Sequence, residues 1–287
     1  MQILYLKPAD KIVMENNTIP PAFNDFISPT CDRARFIQDY LKAGGIDSTI
    51  IPLEGKNHIY VKFPKNQYNP MFRIKTVIAH YDRIGIGAND NSAAVFCLME
   101  WAKSCAVPEP VEGPHMIQPH NIRLIFTDGE ELGEGGITEQ GAFPLAQTFR
   151  KLGITNDDVY VFDCMGRGDV PILAQAKIAP NVPTQFLTKY SQLEERTKKI
   201  LQAASNGKWF SLPVNYSDNA SFIANGIPAV AITMLPSEEV QQALQGQTPQ
   251  TWQNLHTPQD NLASLNPGAF EIFFNIINEL AGQKTLV

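Results

Sequence analysis

Residues 122–131 read Ile122-Arg123-Leu124-Ile125-Phe126-Thr127-Asp128-Gly129-Glu130-Glu131, an apolar, branched run that breaks directly into an acidic turn. A short continuous apolar run of this kind marks a strand buried on both faces, whereas a half-solvated strand would alternate. The same grammar recurs on either side. Ile74–Ala79 runs into His80-Tyr81-Asp82, and Val159–Phe162 ends at Asp163. Helical patterns over Asn91–Lys103, Phe143–Leu152 and Leu193–Ala204 separate these strands. A further strand over Ala229–Thr233 and an amphipathic helix over Pro267–Leu280 complete the series. Strands alternating with helices predict a mostly parallel sheet covered on both faces, an α/β fold built as a three-layer α/β/α sandwich.

Upstream of this core, Ser48–Leu53 and His58–Phe63 are two β runs joined by the turn-like Glu54-Gly55-Lys56-Asn57, the pattern of antiparallel edge strands in a hairpin. Ser28-Pro29 sets a capping hydroxyl before a proline, which predicts a helix starting there and ending near Gly44-Gly45. Val107–His120 reads as a surface loop. No internal repeat or linker divides the chain, so residues 1–287 read as a single domain.

With 287 residues, 44% of them apolar and 18% charged, the chain can bury a large core without disulfide or metal staples. A formal charge of −6 and the lack of like-charge runs argue against nucleic acid or a polybasic membrane contact. Cys31, Cys97, Cys105 and Cys164 form no Cys-x-x-Cys pair and read as buried free thiols. Met1–Thr18 lacks an apolar core followed by a small-residue cleavage site, and no stretch approaches the roughly 18 apolar residues of a membrane span. A cytoplasmic protein is expected.

In open α/β sheets, ligands bind beyond the carboxyl ends of the strands. Here those ends carry His80, Asp82, Asp128, Glu130, Glu131 and Asp163, while Ser217-Asp218-Asn219 precedes Ala229–Thr233 and His256-Thr257 precedes the last helix. Each has an ordinary reading alone: a surface His-x-Asp pair, a solvated Glu130-Glu131 turn, caps at Asp163 and at Asp90 before Asn91. Together, acids and imidazoles at the ends of three successive strands would be costly to crowd without a cation. His58, His115 and His120 fall outside this set and read as surface or loop residues. Trp101, Trp209 and Trp252 read as core or rim residues, with Trp252, close to His256, the best placed to touch substrate. The chain has no G-x-S-x-G elbow, P-loop or H-E-x-x-H.

His80-Tyr81-Asp82, Gly87-Ala88-Asn89-Asp90-Asn91-Ser92-Ala93, Asp128-Gly129-Glu130-Glu131-Leu132-Gly133, Phe162-Asp163, Ser217-Asp218, and His256-Thr257 with Asp260 occur in that order between residues 74 and 262. In order and spacing they resemble the co-catalytic zinc aminopeptidases of peptidase family M28. The resemblance implies a zinc-exopeptidase-like fold and two zinc ions, other divalent ions being possible. His80 would bind one ion and His256 the other, Asp90 would bridge them, and Glu131 and Asp163 would each complete one shell. Asp82 would fix the tautomer of His80, and Glu130 would be the general base that activates a metal-bridging water. The implied substrates are peptides with a free N-terminus.

Four positions depart from the family pattern. Asn219 stands where the family has histidine after Ser-Asp, which leaves Asp218 as either a pocket residue or a structural one. Leu255 precedes the last histidine and supplies no oxyanion donor, Ile137 replaces a serine, and Glu134 adds an acid. Glutaminyl cyclases share the fold and most of these ligands but work with a single zinc; relatives of that kind place tryptophan where this chain has Leu255. A catalytically inactive binding module of the same fold is the other alternative, although such a protein would be expected to lose ligands that are all present here.

Overall fold

A computed structural model describes residues 19–106, 119–131, 135–215 and 217–287. The expectations about Met1–Thr18, the loop over residues 107–118 with His115, and Glu134 lie outside the described residues. The first half contains α1 (Ala22–Ile27), α2 (Arg33–Ala43), β1 (Asp47–Leu53), β2 (Lys56–Lys62), β3 (Lys75–His80), α3 (Ala94–Ala106), β4 (Ile122–Thr127) and α4 (Ala142–Lys151). The second contains β5 (Asp158–Phe162), β6 (Val170–Ala174), α5 (Thr184–Ala204), β7 (Phe210–Leu212), α6 (Asn219–Ala224), β8 (Ala229–Leu235), α7 (Ser237–Leu244), α8 (Gln250–Asn254) and α9 (Pro267–Gly282).

The strands form one eight-stranded sheet in the order β1-β2-β4-β3-β5-β8-β6-β7. Its centre, β4-β3-β5-β8, is parallel. The hairpin β1-β2 joins β4 antiparallel on one flank, and β6 joins β8 antiparallel on the other with β7 parallel beside it. Alternation along each central strand feeds two cores. Val77, Ala79, Leu124, Phe126, Tyr160 and Phe162 meet residues of α1, α2, α3, α5 and α9 on one face. Ile78, Ile125, Val159 and Val161 meet Leu145 and Phe149 of α4 and Phe222 of α6 on the other. The three-layer prediction therefore holds.

Several boundaries differ from the sequence reading. Ser28-Pro29 does not open a helix: Ser28 ends α1 with an extended ψ of 136°, the conformation a following proline favours. The cap of α2 is Asp32, whose carboxylate accepts the Arg35 N–H at 3.1 Å. The hairpin turn is only Glu54-Gly55, because Leu53 already pairs with Lys56. Both turn residues have positive φ, 47° and 79°, which matches the twist of the flanking strands. The third helix starts at Ala94, not Asn91, because Asp90 and Asn91 are non-helical. The short strands β6 and β7 have no counterpart in the sequence reading; Pro171 in the former masks its β character.

His58 and His120 are buried, not exposed. His120 sits among the rings of Phe63, Trp101 and Tyr68, and desolvation lowers its pKa to about 3. Among the cysteines, all free, Cys97 and Cys164 are buried while Cys31 and Cys105 are only partly so. No helix among the described residues is long and apolar enough to cross a membrane.

The capping assignment is open to measurement. Asp32→Ala should cost about 1 kcal/mol of unfolding free energy, and Ser28→Ala should stay within about 0.5 kcal/mol, both read by urea denaturation. Equal losses would return the helix start to Ser28.

Candidate active site

Sheet register assembles the site. His80 pairs with Thr127 across β3 and β4, and the pairing of Ile78 with Val161 puts Asp163, just past β5, level with His80. His80 is buried with its Nε2 atom 3.4 Å from Asp163 Oδ1 and 3.2 Å from Asp90 Oδ1. Its Nδ1 lies 3.5 Å from Asp82 Oδ1, while Asp82 Oδ2 accepts the Glu131 N–H at 3.0 Å. Asp82 thus touches the first imidazole and the acidic turn after β4 at once.

Asp90 is delivered by a loop that must double back sharply after β3. Gly87 there has φ 60°, and a Cβ on it would stand 2.4 Å from the Asp90 carbonyl oxygen, so only glycine fits. The Asp90-Asn91 peptide bond is cis. Three side chains lash this loop in place. Asp260 accepts the N–H groups of Asn89 and Asp90 at 2.7 and 3.1 Å. Asn91 donates to the Phe162 carbonyl at 2.8 Å and accepts from Cys164 N–H, and Asn89 accepts from Gly166 N–H at 2.8 Å. Asp90 is thereby clamped between the exit of β5 and the segment before α9. Asp90 does not cap a helix beginning at Asn91, since Asn91 itself is non-helical.

His256 approaches from the opposite side, on the segment that leaves α8. Its φ is 61°, and its Nε2 atom lies 3.1 Å from Asp90 Oδ2 and 2.8 Å from Glu131 Oε2. The helix behind it is braced by a buried network in which Arg167 donates to Glu239 at 3.0 Å and to Thr251 Oγ1 at 2.9 Å, and Thr251 N–H donates to Glu239 at 2.7 Å. The two histidines differ in exposure: the His80 side chain is 1% exposed and that of His256 48%.

Among the described residues, two groups could each hold a metal ion: His80 with Asp90 and Asp163, and Asp90 with Glu131 and His256. Within each group the donor atoms lie within 4.8 Å of one another, and Asp90 is common to both, turning one oxygen to each. Both His80 nitrogens, Asp82 Oδ1, Glu131 Oε1 and Asp163 Oδ1 are buried without a hydrogen-bond partner. Polar atoms so placed are costly unless something binds them. Imidazole and carboxylate donors suit zinc and its divalent neighbours.

The electrostatics agree. Burial first, then the like charges of Asp163, Asp218 and Asp90, push Glu130 up to about 9 against the opposing pull of His80. Burial and then Asp90 push Glu131 up to about 8. Burial opposes a charge on His80, yet Asp163, Asp82 and Asp90 together carry its pKa well above the ordinary imidazole value. Such a cluster holds protons for want of positive charge, and a divalent cation is the alternative counter-charge.

The two groups open into a cavity of about 380 Å³. Its lining combines Asp90, Glu130, Glu131, Asp163 and His256 with the apolar Ala174, Val214, Ala231, Ile232, Trp252 and Leu255. Trp252 lines the cavity. Asp218 does not line the cavity: it is wholly buried and takes a hydrogen bond of 2.5 Å from Thr127 Oγ1. Its charge nevertheless acts on Glu130. The bracing roles of Asn89, Asn91 and Asp260 escaped sequence reasoning, although all three fall within the quoted motifs.

Residues 59–281 match Peptidase family M28. The chain belongs to that family. As an M28 protein it shares its fold with the LapA aminopeptidase of Legionella pneumophila, with a TM-score of 0.63 and 16% identity over 89% of this chain and 66% of that one. A zinc aminopeptidase from Bacillus subtilis gives 0.55 and 18% over 78% of this chain and 48% of that one. An Acidobacteriales bacterium glutaminyl cyclase gives 0.59 and 19%, over 89% and 86%. The M28 chain therefore spans just under two-thirds of LapA and about half of the Bacillus enzyme. At these identities the likeness is one of fold. No curated protein sequence matches the chain.

The lashing of Asp90 can be tested directly. Asp260→Ala should weaken binding of the first divalent ion by about 10-fold, the lower range for a residue that orients a ligand, in a competition titration against a chromophoric chelator. Unchanged affinity would mean that the Asp90 loop holds its shape without Asp260.

Proposed function

We propose that this M28 protein is a metallo-aminopeptidase that holds two divalent ions, zinc in the first instance, and releases the N-terminal residue of peptides. The observation that carries the reading is Asp90, which offers one oxygen to each of two imidazole–carboxylate groups. His80 and Asp163 would hold one ion, and Glu131 and His256 the other. Metal bound there would supply the Lewis acidity that polarises a carbonyl and makes water acidic near neutral pH.

The chain's own residues supply the remainder. Asp82 orients His80 through Nδ1 and steadies the Glu131 backbone. Glu130 lines the cavity beside these ligands, within reach of a water seated among them. It takes a proton from that water and passes it to the departing amine nitrogen, so that one carboxyl group serves as base and then acid. The carboxylate-rich end of the cavity attracts a free α-ammonium group, which limits the enzyme to the first residue of a peptide. The apolar part of the lining, from Ala174, Val214, Ala231, Ile232, Trp252 and Leu255, carries no charge. We assign to it the side chain of an apolar N-terminal residue. The whole unit acts as one catalytic domain.

Two measurements bear on this reading. Glu130→Gln should keep its bound metal and lose at least about 100-fold in kcat, the lower end for a general base; turnover near that of the parent would remove Glu130 from the mechanism. A panel of aminoacyl amides and short peptides, assayed with zinc supplied and metal counted, should show two ions per chain and fastest release of apolar residues. One ion per chain with cyclisation of an N-terminal glutaminyl peptide would assign glutaminyl cyclase activity instead. Failure to take up any metal would make the chain an inactive member of the family.

A further inference from the structure

Glu130 has two carboxylate oxygens, and one of them is already engaged. Gln140, which follows a 3-10 turn over Ile137–Glu139, is 1% exposed and reaches back across the acidic turn. Its Nε2 donates to Glu130 Oε1 at 2.9 Å. The other end of the same amide, Oε1, accepts a hydrogen bond of 2.9 Å from the hydroxyl of Ser221, a fully buried residue of α6. Ser221 is held in turn by its helix, where its carbonyl accepts from the Asn225 side chain at 2.9 Å.

An amide carries a donor on one arm and an acceptor on the other, so its orientation depends on which neighbours it meets. The Glu130 carboxylate, which can only accept, selects the N–H arm, and the Ser221 hydroxyl, free to donate or accept, donates to the acceptor arm and holds the amide from its other end. The opposite orientation would set two acceptors against each other at Glu130 Oε1. Gln140 lies at the cavity wall but is only 1% exposed, so its amide is held mainly by these two partners.

We propose that Gln140, fixed by Ser221, is a positioning residue for Glu130: it anchors Oε1 so that Oε2 alone faces the metal groups and the attacking water. The proposal rests on the base assignment of Glu130 made above. Catalytic groups must be held within a fraction of an ångström to work at full rate, and Glu130 sits on a turn rather than on a strand. A single donated hydrogen bond from a buried, pre-oriented amide supplies that constraint without adding charge to an already crowded site. The arrangement also explains why a neutral side chain occupies this position: a carboxylate would repel Glu130, and an ammonium would pair with it and compete with the water.

The test is a double-mutant cycle between Gln140→Met and Glu130→Gln, with kcat, KM, metal content and thermal midpoint measured on all four proteins. Gln140→Met should lower kcat by about 10-fold with little change in KM or in metal content, the lower range for a group supporting a catalytic residue. In the Glu130→Gln background the same substitution should cost less than about 2-fold, because groups that act through one another do not add. The affinity for a simple alkylboronic acid, whose tetrahedral hydroxyls stand in for the attacking water, gives a readout independent of turnover and should follow the same pattern. An equal loss in both backgrounds would overturn the proposal and leave Gln140 a structural residue. A Glu130→Gln protein that turns over normally would instead bring down the base assignment, and the positioning role with it. If Gln140→Met does not fold, Ser221→Ala frees the amide while keeping it, and the same cycle decides the matter.

Discussion

Burying many carboxylates at one point is the constraint from which the rest of this structure follows. Asp82, Asp90, Glu130, Glu131, Asp163 and Asp218 converge beyond the carboxyl ends of a parallel sheet, with two imidazoles as the nearest positive groups. Like charges at such separations repel by several kcal/mol in a medium poorer than water. The backbone therefore has to hold them together against that force. Rigid strands carry His80 and set the level of Asp163, register fixes their approach, and side-chain hydrogen bonds from Asn89, Asn91 and Asp260 hold the one residue that must face both ways.

The division of labour between strand and loop is uneven. The half built on β3 and β5 is interior and inflexible, since every residue of β3 is buried. The half that contains His256 hangs from a short helix and is tied to the body through Arg167, Glu239 and Thr251. The two halves share Asp90, which turns one oxygen to each, and Asp82 links them a second time through His80 and the Glu131 N–H.

Much of this was legible in the sequence because the central strands are buried on both faces. Continuous apolar runs such as Ile122–Phe126 announce themselves, and polar residues placed directly after them stand out against that background. The acids and imidazoles that converge here stand out for the same reason, and the family resemblance groups them. The start of α2 was misread because Ser28-Pro29 satisfies a local rule that the preceding helix overrides, while Asp32 carries the capping bond. The strands β6 and β7 were missed because one contains a proline and the other is three residues long. The burial of His58 and His120, which read as surface or loop residues, is not legible because isolated polar residues give no periodic signal, whereas the fold encloses them in aromatic and backbone neighbours. The bracing contacts of Asn89, Asn91, Asp260 and Gln140 join residues between 10 and 171 positions apart, a separation no local pattern records.

The segment from Trp252 to His256 serves two purposes within five residues. Trp252 and Leu255 form part of the cavity wall, and His256 reaches Asp90 and Glu131. The cavity wall and the charge cluster thus draw on the same short piece of backbone. Exchanging this segment would therefore change the cavity wall and the contacts of Asp90 and Glu131 together, whereas Ala174, Val214 and Ala231 line the same cavity without making those contacts.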